Sequence, residues 1–413
     1  MALVPLEEAQ ALVRAGCGPL GTAVVPLPDA LGLVLAEAVH AAGAVPPFAN
    51  TAMDGYAVRA ADTAGAGAGD GASPVRLAVI ATTPAGAPPG PPVGQGQAVR
   101  IMTGAPMPSG ADAVVMVERT EAEDGGATVV IHQEARPGDH VRQPGEDIPA
   151  GQEVFPAGTV LGPGHLGVLA SVGRTEVAVT RRARVGVLST GDELAEGGAP
   201  LGPGQIRDSN RPTLLALVRQ AGCETVDLGR CGDDEQLLRA ALEEAVATCD
   251  AVVTTGGVSV GDFDHVRAVL DHLAGGAMHW LQVAIKPAKP LAFGVVKGRP
   301  VFGLPGNPVS SMVSFELFAR PALLAMMGHP PAGTERPRIT AVAAEALSRR
   351  RDGKLHFLRV RAEPGQDGRL HVRSAGGQGS HMLWAMAKAN ALALLPDGTG
   401  VQQGENVDVI LLA

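Results

Sequence analysis

Apolar positions change their spacing repeatedly along this chain, and each change marks a different kind of structure. In LVPLEEAQALVRA (3–15) they recur at helical intervals, Pro5 sits near the start, Glu7 and Glu8 fill the first turn and Gly16 follows, which predicts an amphipathic helix. DALGLVLAEAVH (29–40) predicts a second short helix or a helix-to-strand passage. From residue 43 to about 145 the pattern is one of short β-like runs cut by Gly and Pro: VRLAVIAT (75–82), QAVRIMTG (97–104), DAVVMVER (112–119) and ATVVIHQ (127–133). Runs this short predict a small barrel or β-rich insert. AGAGAGDGASP (64–74) and the stretch from Pro84 to Gly94 read as surface loops, since no helix follows the G-x-G spacing of the first.

From residue 184 to about 327 strands and helices alternate. RVGVLST (184–190), ETVDLG (224–229), DAVVTTGG (250–257), HWLQVAI (279–285), LAFGVV (291–296) and PVFGL (300–304) are strand-like. PTLLALVRQAG (212–222), DEQLLRAALEEAVAT (234–248), DHVRAVLDHLAG (264–275) and residues 307–327 are helical. The alternation predicts a doubly wound, mostly parallel sheet covered on both faces. The last 80 residues return to short strands, among them RITAVAA (338–344), KLHFLRVRAE (354–363) and NVDVILL (406–412), and predict a separate small β domain.

With 413 residues and 46% apolar content the chain is long enough for several cores and two to four domains. Its net charge of −9 argues against general binding of nucleic acid or acidic membranes, so any anion must be held by a local basic pocket. Cys17, Cys223, Cys231 and Cys249 form no CxxC pair, and the 11 histidines show no HxxxH spacing. Buried small thiols in a reducing cytoplasm are expected rather than a disulfide or metal framework. No basic-then-apolar leader and no run of 18 apolar residues is present, so neither a signal peptide nor a membrane span is expected.

The candidate chemistry lies in polar, glycine-rich turns after apolar strands, where open α/β sheets bind ligands. STGDEL (189–194) offers the hydroxyls of Ser189 and Thr190, close backbone approach at Gly191, and the carboxylates of Asp192 and Glu193 for a hard cation or a heterocycle. Asp208, Ser209 and Asn210 can equally cap the next helix or touch a ligand. TTGGVSVGDFD (254–264) exposes the amides of Gly256 and Gly257, adds Ser259, and places Asp262 and Asp264 before a helix; one aspartate suffices for capping, which leaves the other for metal or substrate. KPAKP (286–290) holds Lys286 and Lys289 between stiff prolines as an anion receptor, although lysines are commonly just solvated. GLPGNPVS (303–310), with Pro305 and Pro308, reads both as a rigid strand-to-helix turn and as an anion site at a helix N-terminus. No G-x-x-x-x-G-K-[ST] is present, which argues against a P-loop NTPase.

These turns, together with PPFANTAMDGYAV (46–58), RIMTGAPMPSGADAVV (100–115), RQPGEDI (142–148) and GGQGSHM (376–382), strongly resemble the molybdopterin molybdenumtransferase family, which includes bacterial MoeA and the gephyrin E domain. The resemblance covers nearly the whole chain. It implies an elongated N-terminal region (1–45 and 143–180), a β-rich insert (46–142), an α/β domain that binds molybdopterin (181–330) and a C-terminal β domain (331–413), a small barrel. It implies insertion of molybdate into adenylylated molybdopterin with release of AMP, and Mg2+ as the metal.

On that resemblance Lys286 and Lys289 neutralise anionic charge, and Gly256, Gly257 and Ser259 supply neutral donors. Ser189, Thr190 and Pro308 belong to the substrate site. Asp192, Glu193 and Asp264 hold metal or pterin, with Glu193 and Asp264 as the metal ligands and Glu193 also catalytic. Pro305 and Ser380 line the molybdate pocket, with Arg359 as a cationic partner. The family's homodimer brings Asp54, Thr103 and Asp147 from another subunit as catalytic residues, although MDG and TGAP alone read as tight turns. Contact with the molybdopterin adenylyltransferase is also compatible with it. One position departs from the pattern: Arg267 stands where many relatives carry lysine, which keeps the charge but not the geometry. Two other readings compete. The adenylyltransferase of the same pathway shares the α/β domain but lacks the N-terminal motifs and the C-terminal domain. A scaffold or receptor-binding module, as in the animal relative, would favour a long linker or a second attached domain, and this chain has neither.

Overall fold

The computed structural model describes residues 2–67, 73–198, 200–232, 234–257 and 265–412. The chain divides into two compact units, Met1–Val25 with Gly32–Ala36 and Ala178–Ala413, and Pro26–Leu31 with Glu37–Val177.

In the Glu37–Val177 unit, a six-stranded mixed sheet runs in the order Ala113–Met116, Gly55–Val58, Gln97–Ile101, Val75–Thr83, Thr128–Ile131, Thr120–Glu123. Alternate residues bury opposite faces, as period-2 strands must. Tyr56, Val58, Leu77, Val115 and Ile131 form one core, and Ala57, Val99, Ile101 and Val114 the other. The expected helix-to-strand passage at 29–40 is a 3-10 turn, Leu27–Ala30, and two two-residue strands, Val34–Leu35 and Val39–His40. Pro26 and Pro28 fit a tight turn but interrupt helical hydrogen bonding, and Gly32 takes a positive φ.

The larger unit holds the α/β sheet, in the order Glu224–Cys231, Arg184–Thr190, Ala251–Thr255, Arg299–Leu304, Pro290–Val296, His279–Gln282. The first four strands are parallel and the last two pairings antiparallel. Adjacent residues feed different layers: Val185, Val187, Val253 and Phe302 pack with the helices Asn210–Gln220 and Pro308–Met326, and Leu188, Val252 and Val301 with Glu235–Thr248 and His265–Leu273. The Pro308–Met326 helix is apolar and long enough to cross a membrane by composition, yet 83% of it is buried within the protein, as befits a core helix. It carries a π-turn at Phe315–Ala319. Pro321 has no N–H to give the Leu317 carbonyl, and Gln10 of the N-terminal helix Leu6–Ala15 donates there instead (3.1 Å).

The C-terminal strands Arg338–Ala343, Leu355–Pro364, Leu370–Ser374, Ala391–Leu395 and Asn406–Leu411 close into a five-stranded barrel around Leu358, Val360, Val372, Leu395 and Val409. Ile285–Lys286 leaves the α/β sheet to pair in parallel with Leu355 and His356 at its edge. All four cysteines are free thiols, and burial pushes Cys17 and Cys223 up to about 12.

Candidate active site

Two groups of polar residues stand out, one in each unit. In the β-rich unit, the strand Asn50–Thr51 turns into Gly55–Val58 through Ala52–Asp54. Buried Thr51 ties the turn by donating its hydroxyl to the Met53 carbonyl (2.6 Å) and accepting the Met53 N–H (3.1 Å). Gly55 is required, because a Cβ there would lie 2.1 Å from the Val115 carbonyl oxygen. Asp54 is thereby presented to solvent, and its Oδ1 accepts both the N–H and the hydroxyl of Thr103 at 2.7 Å each. These bonds from Thr103, with Arg100 adding charge, hold the Asp54 carboxyl below its ordinary value. The Gly104 N–H donates to the Thr51 carbonyl (2.9 Å) and locks the two turns together. Asp147 is exposed and donates its backbone N–H to Val45 (3.0 Å), with no hydrogen bond to Asp54 or Thr103.

In the larger unit, the carboxyl ends of the parallel strands interlock through short side chains. Ser189 donates to Asp208 (2.5 Å), which also accepts the Arg211 N–H (3.1 Å) and Nε (3.2 Å). Asp208 therefore caps the first turn of Asn210–Gln220. Asn210 donates Nδ2 to the Thr255 hydroxyl (2.8 Å) and to the Gly306 carbonyl (2.7 Å), bridging two glycine turns. Thr190 donates to the Thr255 carbonyl (3.3 Å), and Thr255 to the Pro305 carbonyl (3.2 Å). Gly256 has φ +94°, and a Cβ there would lie 2.5 Å from the Thr190 carbonyl oxygen; Gly257 has φ +64°. The hydroxyls of Ser189 and Thr190 thus hold the framework of the turns. Ser259, Asp262 and Asp264 lie outside the described residues.

Asp192 and Glu193 are exposed, and the Glu193 carboxylate folds back over Gly191, within 2.3 Å of where a Cβ there would sit. The Glu193 carboxylate makes no hydrogen bond or ion pair among the described residues, and the described residues contain no cluster of three or more metal-ligating side chains. One open carboxylate fits Mg2+, which binds through one or two carboxylates supplemented by substrate phosphates and water. Arg267 lies 3.8 Å from Asp271 and 4.9 Å from the centre of the Trp280 ring, so its charge is engaged within its own helix and the neighbouring strand.

The lysine turn is held from the Pro308 helix. Buried Ala288, at φ +72°, donates its N–H to Ser310 (3.4 Å), and the Val283 N–H donates to the Lys289 carbonyl (2.7 Å). Both lysine side chains are left exposed. Pro308 opens the helix, and the Val309 N–H donates to the Ser380 carbonyl (3.1 Å), fastening the 376–382 loop to its first turn. Arg359 lies under that loop, 1% exposed, and donates Nη2 to the carbonyls of Gly377 and Gly379 at 3.0 Å each, while its Nε has no partner. Burial lowers its pKa from 12.5 to about 10. Gln378, which the sequence motifs did not single out, clamps the Arg359 backbone from both sides, accepting its N–H (2.9 Å) and donating to its carbonyl (3.0 Å). A cavity of about 350 Å3 is lined by Lys286, Arg349, Arg350, His356, Arg359 and Gln378, among others, with no carboxylate among the described residues of its wall.

Known proteins resemble the chain along nearly its whole length. Residues 4–173 match the family described as MoeA N-terminal region (domain I and II), 186–325 match a probable molybdopterin binding domain, and 340–412 match the MoeA C-terminal region (domain IV). The chain is 43% identical to molybdopterin molybdenumtransferase 2 of Mycobacterium tuberculosis, over 92% of both chains. It is 38% identical to molybdopterin molybdenumtransferase of Haemophilus influenzae, over 95% of this chain and 94% of that one. A crystal structure of a molybdopterin biosynthesis MoeA protein from Pyrococcus horikoshii superposes with TM-score 0.81 at 30% identity, covering 99% of this chain and 100% of that one. The chain belongs to the molybdopterin molybdenumtransferase (MoeA) family.

Proposed function

We infer that this chain inserts molybdenum from molybdate into molybdopterin, taking the adenylylated pterin as substrate and releasing AMP. The observation that carries the reading is the cationic cavity. Lys286, Arg349, Arg350 and Arg359 line it with no carboxylate among the described lining residues, an arrangement that favours a compact dianion such as molybdate. Desolvation strengthens that attraction, because the guanidinium acts in a medium poorer in water than the surface. Lys289, Pro305 and Ser380 complete the oxyanion site, and the amides of Gly256 and Gly257 receive a phosphate of the substrate. Glu193, with Asp264, would hold Mg2+, which when bound neutralises phosphate charge. Asp192 orients the pterin.

The Asp54–Thr103 pair, with Asp147, belongs to the same reaction, delivered from the partner subunit of a homodimer in the cytoplasm. Asp54 is kept ionised by Thr103 and is suited to orienting or accepting a proton from the incoming group. Adenylylation of molybdopterin is the alternative activity. Incubation with adenylylated molybdopterin, molybdate and Mg2+ is expected to release AMP only when molybdate is present. Formation of adenylylated product from molybdopterin and ATP would instead establish the alternative.

A further inference from the structure

The cavity wall contains a titratable group that the reading above does not use. His356 is 6% exposed and lies in register with Lys286 across a parallel pairing, so both side chains stand on the same side of that ladder. Its Nε2 lies 3.0 and 3.1 Å from the two oxygens of Asp352. Asp352 is an ionised carboxylate, fixed by Arg349 Nη2 (2.9 Å) and Lys354 Nζ (3.2 Å), so Nε2 carries the hydrogen. The Arg349 side chain is itself 1% exposed, anchored on the carbonyls of Lys354, Leu395 and Pro396 and on Asp397. The ring is therefore set by a rigid, charge-balanced support. Nδ1 makes no hydrogen bond to the described protein, and it is not among the buried polar atoms that lack a partner. It is left available to the cavity.

We propose that His356 is a proton-gated donor of the oxyanion pocket: a dianion arriving beside Lys286 draws a proton from solvent onto Nδ1, and the resulting N–H donates to a bound oxygen. The proposal rests on the oxyanion reading of the cavity and adds to it a binding residue and a proton. The groups acting on the ring are Asp352, which favours its charge, and Arg349 and Lys286, which oppose it; Arg350 also lines the cavity. Burial lowers the His356 pKa most, Asp352 raises it, and Arg349 and Lys286 lower it again, with the net below 6.5. The empty pocket thus holds a neutral imidazole at neutral pH, and a dianion favours the charged form. Proton uptake and anion binding are linked, and affinity falls as pH rises between the pKa of the empty pocket and that of the occupied one.

The test is calorimetric titration of the full chain with sodium molybdate, and with sodium sulfate as a second dianion, from pH 6 to 8 in two buffers of different ionisation enthalpy. Wild type is expected to take up close to one proton per anion, with affinity falling by up to tenfold per pH unit. His356→Gln is expected to bind with a flat pH profile, and Asp352→Asn to blunt the slope. Zero proton uptake in wild type, an undiminished slope in His356→Gln, or no binding of either anion overturns the proposal. Loss of molybdate-dependent turnover alongside intact, pH-linked binding falls on the transferase reading instead.

Discussion

Arg359→Met separates the demands of folding from those of the site. Burial holds the guanidinium at about 10 against 12.5 for the free group, which converts to roughly 3 kcal/mol of penalty on the charged form. The two bonds to the Gly377 and Gly379 carbonyls return about 1.5–3 kcal/mol each as charge-assisted hydrogen bonds. The opposing contributions nearly cancel, and replacement of a buried charge by an apolar side chain of comparable length is often neutral or stabilising. Unfolding in urea should therefore give a stability within about 2 kcal/mol of wild type. Molybdate affinity, measured by calorimetry, should fall by roughly two orders of magnitude, as when one partner of a buried charged contact is removed. The sign of the pH effect follows from the lowered pKa. The penalty is present in wild type at all pH below about 10 and is relieved only above it, so the stability difference between the two proteins is flat across neutral pH. A loss of more than about 4 kcal/mol in stability with molybdate affinity unchanged would make Arg359 a structural residue and refute the reasoning.

Gly256→Ala forces a Cβ to 2.5 Å from the Thr190 carbonyl oxygen at φ +94°; we expect a loss of at least about 2 kcal/mol in a denaturant titration. Asp250→Asn breaks a buried hub that accepts from Arg181 (2.5 and 2.7 Å), Arg299 (3.1 Å) and the Arg184 N–H (2.9 Å), and should cost about 3 kcal/mol. Burial opposes the Asp250 charge, but Arg181 and the Arg184 N–H outweigh it and hold the carboxyl below 3.8, so its contribution is complete above that pH and lost as pH falls through the lower folded value. Acid titration of Asp250→Asn should show a shallower loss of stability than wild type. Asp54→Asn should keep the thermal midpoint of wild type while lowering molybdate-dependent turnover at least about tenfold, since the Asp54 carboxylate is exposed and hydrogen-bonds only to Thr103 among the described residues. Removing divalent metal with EDTA should abolish turnover, with recovery on adding Mg2+ and a raised Mg2+ requirement in Glu193→Ala.

The strands and helices of the α/β sheet were legible because both of its faces are covered, which leaves near-continuous apolar runs such as RVGVLST, found as a strand over Arg184–Thr190. Residues 29–40 were not, because two-residue strands carry too few positions to show a period. The strands Leu370–Ser374 and Ala391–Leu395 did not announce themselves either; LHVRS mixes polar and apolar side chains, and ALALL is too short and uniform to tell from a helix. Among site residues, Asp54 and Thr103 read as turns by pattern and as site residues by resemblance, and the structure joins them directly. Ser189 and Thr190 look like ligand groups in STGDEL, yet their hydrogen bonds go to Asp208 and Thr255, which are distant in sequence and close only through the fold. His356 and Asp352 sit in RRRDGKLHF, where charge conceals that the strand lines a cavity.

Anomalous diffraction from crystals of the full chain soaked in molybdate addresses the central claim most directly. The account predicts a molybdenum peak in the cavity lined by Lys286 and Arg359, within hydrogen-bond reach of the Arg359 guanidinium, and absent from that position in Arg359→Met crystals. A peak found only elsewhere, or one at the same position unaffected by Arg359→Met, would contradict it.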